Sequence, residues 1–445
     1  MSFNPRQACL WIHRYTGLAM AAFLIIASIT GALLAFHDEL DDVFNHKLAQ
    51  VDAQNIPQLP IATLHDRVVS AYPQHTFSSM PTSVATDRAA VFSVDRNQDK
   101  GKNQPKPSFQ EVYVHPYTGD IIGTRDRDEW AWRNTMWKVF WLHRDLLLGD
   151  IGKWVLGIVS LVWTINCFIG FYLTFPRAVK SNKTKQASNK KRASLFKRWL
   201  PAWKIRRKTN TFKLNYDLHH AFGLWLWVML FVIAWSSVGF NLKSVYQPVM
   251  QAVVGLTPRE GRPTAKPEPN KTAEQNSRAD GSAHSNTRVN NRSNDVDVIT
   301  HVVNKTNSIA YLSAQADSAA QQNGVSVQQL LGIRWVEEDK QWQMRFQTDK
   351  DIGTHGGASS ITVDAATGNV ERVNFGYQSS SFGSKADQWL STLHMGQIGQ
   401  GWSHRLYQVF LAMLGLAVAV LSGTGVYLWW KGRQQRLKAL QKGVP

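Results

Sequence analysis

Cysteine is scarce in this chain of 445 residues, which contains only Cys9 and Cys167. Two thiols cannot form a disulfide framework, so the long polar segments must fold without covalent cross-links. The chain also lacks a C-x-x-C-H motif, which excludes a cofactor attached through that motif's thioether bonds. No glycine-rich nucleotide loop follows a predicted strand, and no catalytic triad or zinc motif stands out.

Acidic residues are too few to balance the basic ones. The chain has 50 Lys and Arg against 32 Asp and Glu, a formal net charge of +18. Fourteen of the basic residues lie between positions 177 and 213, a stretch without any acidic residue. Such a charge could bind nucleic acid, but its position between apolar runs is typical of a cytoplasmic loop of a membrane protein. We therefore expect contact with a lipid bilayer and no nucleic-acid partner.

Four apolar runs are long enough to cross a bilayer core, which is about 30 Å thick and needs roughly 20 residues. They cover residues 15–36, 153–175, 221–240 and 406–430. The first run is too long for a signal peptide, and none shows the interruption of a broken helix. The basic loop predicts that both termini are cytoplasmic and that the two long segments between the runs lie outside.

The two halves of the chain repeat the same order of features. Each half has an apolar helix, an outer segment with a Thr-Gly step, a Leu-His pair and a second apolar helix. The Thr-Gly steps are Thr118-Gly119 and Thr367-Gly368, and the second helices end in Gly170-Phe-Tyr-Leu and Gly425-Val-Tyr-Leu. This order predicts a duplicated two-helix unit that forms a four-helix transmembrane bundle.

Each outer segment has the pattern of a small α+β module. The first predicts a helix at 61–71 with strands at 89–94 and 110–114. The second predicts a helix at 309–322 with strands at 331–336, 341–347 and 360–363. Residues 258–297 are polar and nearly free of aliphatic side chains, which favours a disordered insertion.

These patterns divide the chain into eight segments. They are transmembrane helix 1 (10–37), outer module 1 (38–142), a histidine segment with helix 2 (143–176), the basic loop (177–214), helix 3 (215–241), outer module 2 (242–393), a histidine segment with helix 4 (394–431) and a cytoplasmic tail (432–445).

Four histidines occupy matching helix ends in the two halves. His13 and His219 precede the first apolar helix of each half, and His143 and His394 precede the second. Polar side chains are costly near a bilayer core, so four in matched positions predict a function. A neutral imidazole is a good axial ligand of haem iron. Each histidine alone could instead cap a helix or lie among lipid headgroups.

Three further histidines are weaker candidates as ligands. His220 points about 100° away from His219 on a helix. His37 and His404 have no counterpart in the other half. The remaining histidines fall in the outer segments and are expected at the surface: His46, His65, His75, His115, His284, His301 and His355.

An H-x-x-x-G helix, a Thr-Gly outer module, a Leu-His segment and a closing helix resemble the PepSY-associated membrane-helix proteins. This family includes inner-membrane reductases of ferric siderophores in Gram-negative bacteria. The resemblance covers nearly the whole chain and implies two non-covalent b-type haems in a four-helix core, with PepSY-like modules in the periplasm. Some relatives carry a flavin reductase domain, for which this chain has no motif.

With that resemblance, His13 and His219 are expected to ligate an inner haem, and His143 and His394 an outer one. Gly17 and Gly223, four residues after the inner histidines, would leave room for the flat macrocycle. Glycines cluster after the outer histidines as well, where close approach of a porphyrin would favour them. Arg144 could pair with a haem propionate or anchor in headgroups.

The function implied is electron transfer from a cytoplasmic or quinol donor to a ferric siderophore or related Fe(III) chelate. The chain would then be a haem-dependent ferric reductase of the bacterial inner membrane. One alternative is a non-enzymatic regulator whose modules bind a peptidase or envelope partner, which leaves the four histidines without a role. A transporter is the other, although four helices enclose little space for a pore.

Overall fold

A computed structural model of the protein describes residues 4–95, 108–177, 194–256, 302–354, 357–378 and 381–441. The expected insertion at 258–297, residues 178–193 of the basic loop and the last four residues of the tail lie outside the described residues. The same is true of His284, His301 and His355.

The elements follow one another in the order that the duplication predicts. The first half contains α1 (Pro5–Leu34), α2 (His37–Ala49), α3 (Ile61–Ala71), β1 (Ser79–Met80), β2 (Ala90–Ser93), β3 (Glu111–Val114), β4 (Ile121–Arg125), α4 (Thr135–Asp145) and α5 (Gly149–Thr174). The second half contains α6 (Leu195–Trp199), α7 (Thr211–Trp225), α8 (Trp227–Asn241), α9 (Lys243–Val254), α10 (Ser308–Gln322), β5 (Val327–Val336), β6 (Gln341–Thr348), β7 (Ser359–Asp364), β8 (Val370–Asn374), α11 (Phe382–Met395) and α12 (Gly401–Gln441).

Three helices, α1, α5 and α12, are long and apolar enough to cross a membrane. The remaining apolar run, expected as one unbroken helix, is divided at Leu226, where α7 and α8 meet at a bend of 71°. That expectation of continuity was wrong. Two indoles hold the parts to different neighbours: Trp225 Nε1 donates to the Trp203 carbonyl (3.2 Å) and Trp227 Nε1 to the Cys167 carbonyl of α5 (2.9 Å). Counted as one span, the bent pair is the fourth.

Helices from the two halves pack against each other rather than within each half alone. The first-half helix α1 contacts α12, and α5 contacts α8. Small residues allow this approach: a Cβ on Gly415 of α12 would lie 2.6 Å from the Ser28 carbonyl of α1, and one on Gly157 of α5 would lie 2.5 Å from Leu242. Close contact at small residues is how helices associate in lipid, where burial of apolar surface gives no advantage.

The outer segments form two antiparallel sheets with helices against them. The first sheet has the order β2-β3-β4 and the second has the order β1-β5-β6-β7-β8. The helices and strands expected from the sequence are present, with ends shifted by up to four residues. The second sheet includes a strand of the first half, because Ser79 pairs with Arg334 across β1 and β5.

A single hydrophobic core joins the two outer segments. Leu64 and Val112 of the first segment belong to the same buried cluster as Leu312, Met344 and Ile361 of the second. The two α+β units predicted as separate modules therefore pack as one body. His65, expected at the surface, lies in this core (7 % exposed), because α3 turns that face inward. Its Nε2 lies 2.6 Å from the Phe77 carbonyl.

The buried His65 should make the outer body sensitive to acid. Burial lowers the pKa of His65 below its ordinary 6.5. The unfolded chain then binds more protons than the folded one below about pH 6.5, so stability falls as the pH drops from there, by at most about 1.4 kcal/mol per pH unit. We expect His65→Gln, which keeps an N–H donor, to flatten the fall in thermal midpoint between pH 7.5 and 5. Parallel curves for both proteins, followed by tryptophan fluorescence, would contradict this assignment.

Candidate functional site

The first pair of predicted histidines faces each other at one end of the bundle. His13 lies on α1 and His219 on α7, each nine positions inside its helix. Their ring centroids are 6.2 Å apart and their ring planes make an angle of 73°. The two halves of the chain thus supply one imidazole each to this pair.

The second pair, His143 and His394, repeats this arrangement at the other end. Their ring centroids are 6.3 Å apart and their planes make an angle of 68°. The sequence placed both at the start of a spanning helix, which is wrong: each lies in the last turn of a shorter helix, α4 or α11. A left-handed residue ends each of these helices, Leu146 (φ 55°) and Gly396 (φ 77°), and so turns the chain before the span begins.

The inner imidazoles are each held at Nδ1 by a helix of their own half. His13 Nδ1 lies 3.2 Å from the Asn166 Oδ1 of α5. His219 Nδ1 lies 3.1 Å from the Leu421 carbonyl and 3.2 Å from the Thr424 hydroxyl of α12. An Nδ1–H that donates to an oxygen leaves the lone pair on Nε2, the tautomer that suits a metal ligand.

The outer imidazoles are held in the same way. His143 Nδ1 lies 2.9 Å from the Ala27 carbonyl and 3.1 Å from the Thr30 hydroxyl of α1. His394 Nδ1 lies 2.7 Å from the Ser236 hydroxyl of α8. Thr30 and Ser236 each follow the inner histidine of their half by 17 residues. Sequence reasoning missed both hydroxyls, although this equal spacing was available as a signal.

The spacing of both pairs fits a metal ion bound between two imidazoles. A metal–nitrogen bond of about 2 Å, with about 1 Å more from nitrogen to ring centroid, separates two opposed centroids by about 6 Å. The described residues contain no group of three or more His, Cys, Asp or Glu that could hold a metal ion. Two protein ligands suit an iron whose other ligands come from a macrocycle, so the residues fit haem.

The two pairs lie at different depths of the bundle, and α1 contacts both. It carries His13, and its Thr30 touches His143. Seventeen residues of helix extend about 26 Å, close to the thickness of a bilayer core. Packed apolar side chains, among them Met20, Leu24 and Leu230, fill the level between the pairs.

Three glycines make room for the imidazole rings themselves. A Cβ on Gly170 would lie 3.1 Å from His13 Cε1, and one on Gly425 would lie 3.3 Å from His219 Cε1. A Cβ on Gly31 would lie 3.0 Å from His143 Cε1. Two of these glycines belong to the repeated Gly-x-Tyr-Leu ends of α5 and α12, whose contact with the histidines the sequence did not reveal.

The glycines expected to admit a macrocycle are surrounded differently. A Cβ on Gly17 would meet no atom within 4 Å, and one on Gly223 would meet only Leu421 Cδ2 at 4.0 Å. Contacts within the polypeptide therefore do not explain either glycine. The glycines after the outer histidines serve the turn instead: Gly152, for example, lets α5 approach the Asp145 carbonyl, which would lie 1.6 Å from a Cβ there.

Arg144 forms an ion pair and a cation–π contact beside the outer histidine pair. Its Nη2 lies 2.9 Å from the Asp145 carboxylate, and its guanidinium lies over Trp141, 4.3 Å from the ring centroid. Asp145 is buried at 3 % exposure, so this ion pair compensates a charge that α4 would otherwise bury alone. The side chain of Arg144 is 38 % exposed beside His143.

Of the three weaker histidine candidates, His220 lies beside the first pair: its ring centroid is 6.1 Å from that of His219, and the ring planes make an angle of 67°. His220 stacks on Tyr216 (4.0 Å between centroids) and its Nδ1 lies 2.9 Å from the Tyr216 carbonyl. His37 Nδ1 pairs with Asp38, and His404 Nδ1 lies 3.1 Å from the Ile398 carbonyl. The structure thus pairs the four histidines that the duplication favoured across the two halves, and it also places His220 beside the first pair.

A buried arginine ties α4, which carries His143, to the outer body. Arg125 of β4 is fully buried and forms a two-point ion pair with Asp41 of α2 (both 2.7 Å). Its Nε also donates to Asn134 Oδ1 (2.9 Å), just before α4. Burial and the Glu111 carboxylate raise the pKa of the neighbouring Tyr113 to about 12, so its phenol stays a donor. This network fixes the angle at which α4 leaves the sheet.

Comparison with known families matches this architecture over most of its length. A family described as the PepSY-associated TM region matches residues 10–432. The chain belongs to this family. A search of curated proteins found no match. The PepSY-associated region includes all four paired histidines and both outer segments, and membership makes this a membrane protein.

The contact between Gly31 and His143 gives a direct test of how tightly the ring is held. Gly31→Ala places a methyl group 3.0 Å from His143 Cε1, whereas Gly17→Ala meets nothing within 4 Å. Overpacking costs about 1–3 kcal/mol of stability. We therefore expect Gly31→Ala to unfold at a lower temperature than the wild type. Gly17→Ala, compared with the wild type without bound cofactor, should unfold at the same temperature. Equal thermal midpoints for Gly31→Ala and Gly17→Ala in detergent would show that the His143 ring is free to move away from the added methyl group.

Proposed function

We propose that this protein is an inner-membrane electron-transfer enzyme that binds two b-type haems and reduces a ferric siderophore or related Fe(III) chelate for iron uptake. The proposal rests on two pairs of opposed imidazoles at two depths of the bundle. Within the pairs, the ring centroids are 6.2 and 6.3 Å apart. Two neutral imidazoles are a ligand set suited to haem iron that carries electrons.

The side chains of the pairs have separate roles in this proposal. His13 and His219 would hold the inner haem, and His143 and His394 the outer one. When bound, each haem would supply a one-electron redox couple, while the protein supplies placement and tuning. The chain's own contribution is to hold each ring by its Nδ1 hydrogen bond and to exclude water from the level between the pairs.

The direction of transfer follows from the charge of the chain. The basic stretch at 177–213 joins α5 to α7, so the positive-inside rule assigns it and both termini to the cytoplasm. The His13 and His219 pair lies at that end, and electrons would enter there from a cytoplasmic or quinol donor. The His143 and His394 pair lies at the end that bears the outer body, where the acceptor would be periplasmic.

The acceptor is proposed to be Fe(III) held by oxygen ligands. One electron converts Fe(III) to Fe(II), which hard oxygen ligands bind far less tightly, so reduction releases the metal from its chelator. The half-exposed guanidinium of Arg144 beside His143 supports an anionic group at this end, whether a haem propionate or the chelate. The wider family resemblance supports the siderophore as the natural chelate.

Spectra of single histidine variants test the haem sites. We expect the protein purified from haem-replete cells to carry two haems per chain. His13→Ala should lose one and His143→Ala the other, since removing an axial ligand from a non-covalent haem leaves it weakly bound. The measurement is the haem-to-protein ratio with the reduced-minus-oxidised visible spectrum. His220→Ala, His37→Ala and His404→Ala are the matched controls and should keep both haems.

The controls decide between ligand sets as well as testing the proposal. If His37→Ala or His404→Ala lost the spectrum of the outer haem while His143→Ala kept it, the residue changed would replace His143 as the proposed ligand. A correctly folded wild-type protein without pigment would end the proposal.

Reduction of iron is tested separately from haem content. Vesicles holding the wild-type protein, with reductant sealed on the cytoplasmic side, should reduce an external Fe(III) trihydroxamate, detected with an Fe(II)-specific dye. His143→Ala and His13→Ala should each lower the rate at least about tenfold, because either change interrupts the only proposed path. A rate that persists in both variants would show that electrons reach iron by another route.

A further inference from the structure

The helices of the two outer segments align residue by residue. Ile61-Ala62-Thr63-Leu64 of α3 corresponds to Ile309-Ala310-Tyr311-Leu312 of α10. Leu64 and Leu312 are both 0 % exposed in the shared core, which fixes the register of the comparison. Thr63 and Tyr311 therefore occupy equivalent positions on equivalent helices.

The Thr-Gly turns below these helices are also equivalent. Gly119 N–H donates to the His115 carbonyl (2.9 Å), and Gly368 N–H donates to the Asp364 carbonyl (3.0 Å). Both glycines have positive φ, 76° and 72°. In the second segment, Tyr311 reaches this turn and its hydroxyl donates to the Gly368 carbonyl (2.9 Å). A phenol thus closes the space between helix and turn.

In the first segment the described residues place no phenol between helix and turn, and the Leu59 and Arg67 side chains pack against Gly119 instead. A cavity of ≈ 630 Å³, open to solvent, is lined by Thr63 on α3 and by Gly119 in the turn. Its other lining residues are Asp66, Arg67, Ser70, Ala71, Asp120 and Ile121. The depression is shallow, so a ligand held there would stay partly exposed to solvent. The shorter Thr63 side chain leaves room that Tyr311 takes in the other segment.

The charges around the cavity differ from those of the filled copy. Asp66, Arg67 and Asp120 correspond to Ala314, Gln315 and Asn369, which are uncharged. Arg67 lies over the turn, with its Nε 3.3 Å from the position of a Cβ on Gly119. A guanidinium at that place can stack on an aromatic ring that lies on its far side, away from Gly119. The Asp120 carboxylate can take an amide or ammonium group attached to the ring, whereas Asp66 is ion-paired with Lys305.

We propose that this cavity binds a phenolic ring, with its hydroxyl donating to the Gly119 carbonyl as Tyr311 donates to Gly368. The ring would stack against Arg67, and polar groups attached to it would meet Asp120. The phenol can come from a free small molecule or from a tyrosine side chain of a polypeptide, since both present the same ring. The site needs no haem and is independent of the proposed reductase activity.

Binding of N-acetyl-tyrosine amide to the full-length protein in detergent tests this site. We expect saturable binding at one site per chain, followed by titration calorimetry or saturation-transfer NMR. N-acetyl-phenylalanine amide lacks only the hydroxyl and should bind about fivefold more weakly, the worth of one hydrogen bond. Arg67→Ala should bind N-acetyl-tyrosine amide more weakly than the wild type does. Binding of the two amides with equal affinity, or no saturable binding of the tyrosine amide at millimolar concentration, would overturn the proposal.

Exchange of the two equivalent residues gives the sharpest control. Thr63→Tyr should fill the cavity from within and abolish binding without lowering the thermal midpoint, whereas Thr63→Ser should bind as the wild type does. Tyr311→Thr should open the second copy and raise the stoichiometry towards two. Should Tyr311→Thr fail to fold, Thr63→Tyr alone decides, because unchanged binding in that variant overturns the assignment.

The source of the ring is resolved by two further ligands. Tighter binding of an Ala-Tyr-Ala peptide with blocked ends than of 4-methylphenol supports the site with a polypeptide tyrosine as its ligand. Equal or tighter binding of 4-methylphenol supports it with a free phenol. Binding of neither would contradict the proposal.

Discussion

The hydrogen bond at Nδ1 of each paired histidine is the constraint on which the bundle depends. An imidazole in an apolar environment costs free energy unless its polar atoms are satisfied. Each of the four rings meets this need within its own half: His13 at Asn166, His219 at Leu421, His143 at Ala27 and His394 at Ser236. Each opposed ring, in contrast, comes from the other half. One repeat therefore makes two half-sites, and only the duplicated chain completes them.

This division explains why the helices of the two halves interleave. If α1 and α5 packed only with each other, the rings of His13 and His143 would have no imidazole of the second half opposite them. Packing of α1 against α12 and of α5 against α8 brings the second set of rings across. The small residues at these contacts, such as Gly415 and Gly157, set how closely the helices approach and so the distance between opposed rings.

The sequence predicted the helices and strands better than it predicted which of them pack together, for physical reasons. Apolar length identified the membrane spans, and apolar patterning with the Thr-Gly steps identified the helix Ile61–Ala71 and most strands. These elements were found because the signals are local. The four histidines were found because duplication repeats them. The hydroxyls of Thr30 and Ser236 were missed because a hydroxyl in an apolar helix ordinarily donates to its own backbone, as both do here, and so gives no sign of a second partner. Burial of His65 and the joining of the two outer segments depend on contacts between distant parts of the chain, which no local pattern encodes.

The bend at Leu226 shows which features the two halves share most strictly. In the first half, 17 residues of straight α1 connect His13 to Thr30; in the second half, the same number connects His219 to Ser236 across a bend of 71°. The second helices also differ in spacing: His143 precedes Gly170 by 27 residues, whereas His394 precedes Gly425 by 31. Three of these four extra residues lie within α12 and one lies before it, since α5 begins six residues after His143 and α12 begins seven after His394. The halves thus differ in helix continuity and in spacing, yet each ring keeps an Nδ1 hydrogen bond within its own half and an opposed ring from the other half. Placement of the rings, rather than the regularity of any one helix, is what the duplicated architecture preserves.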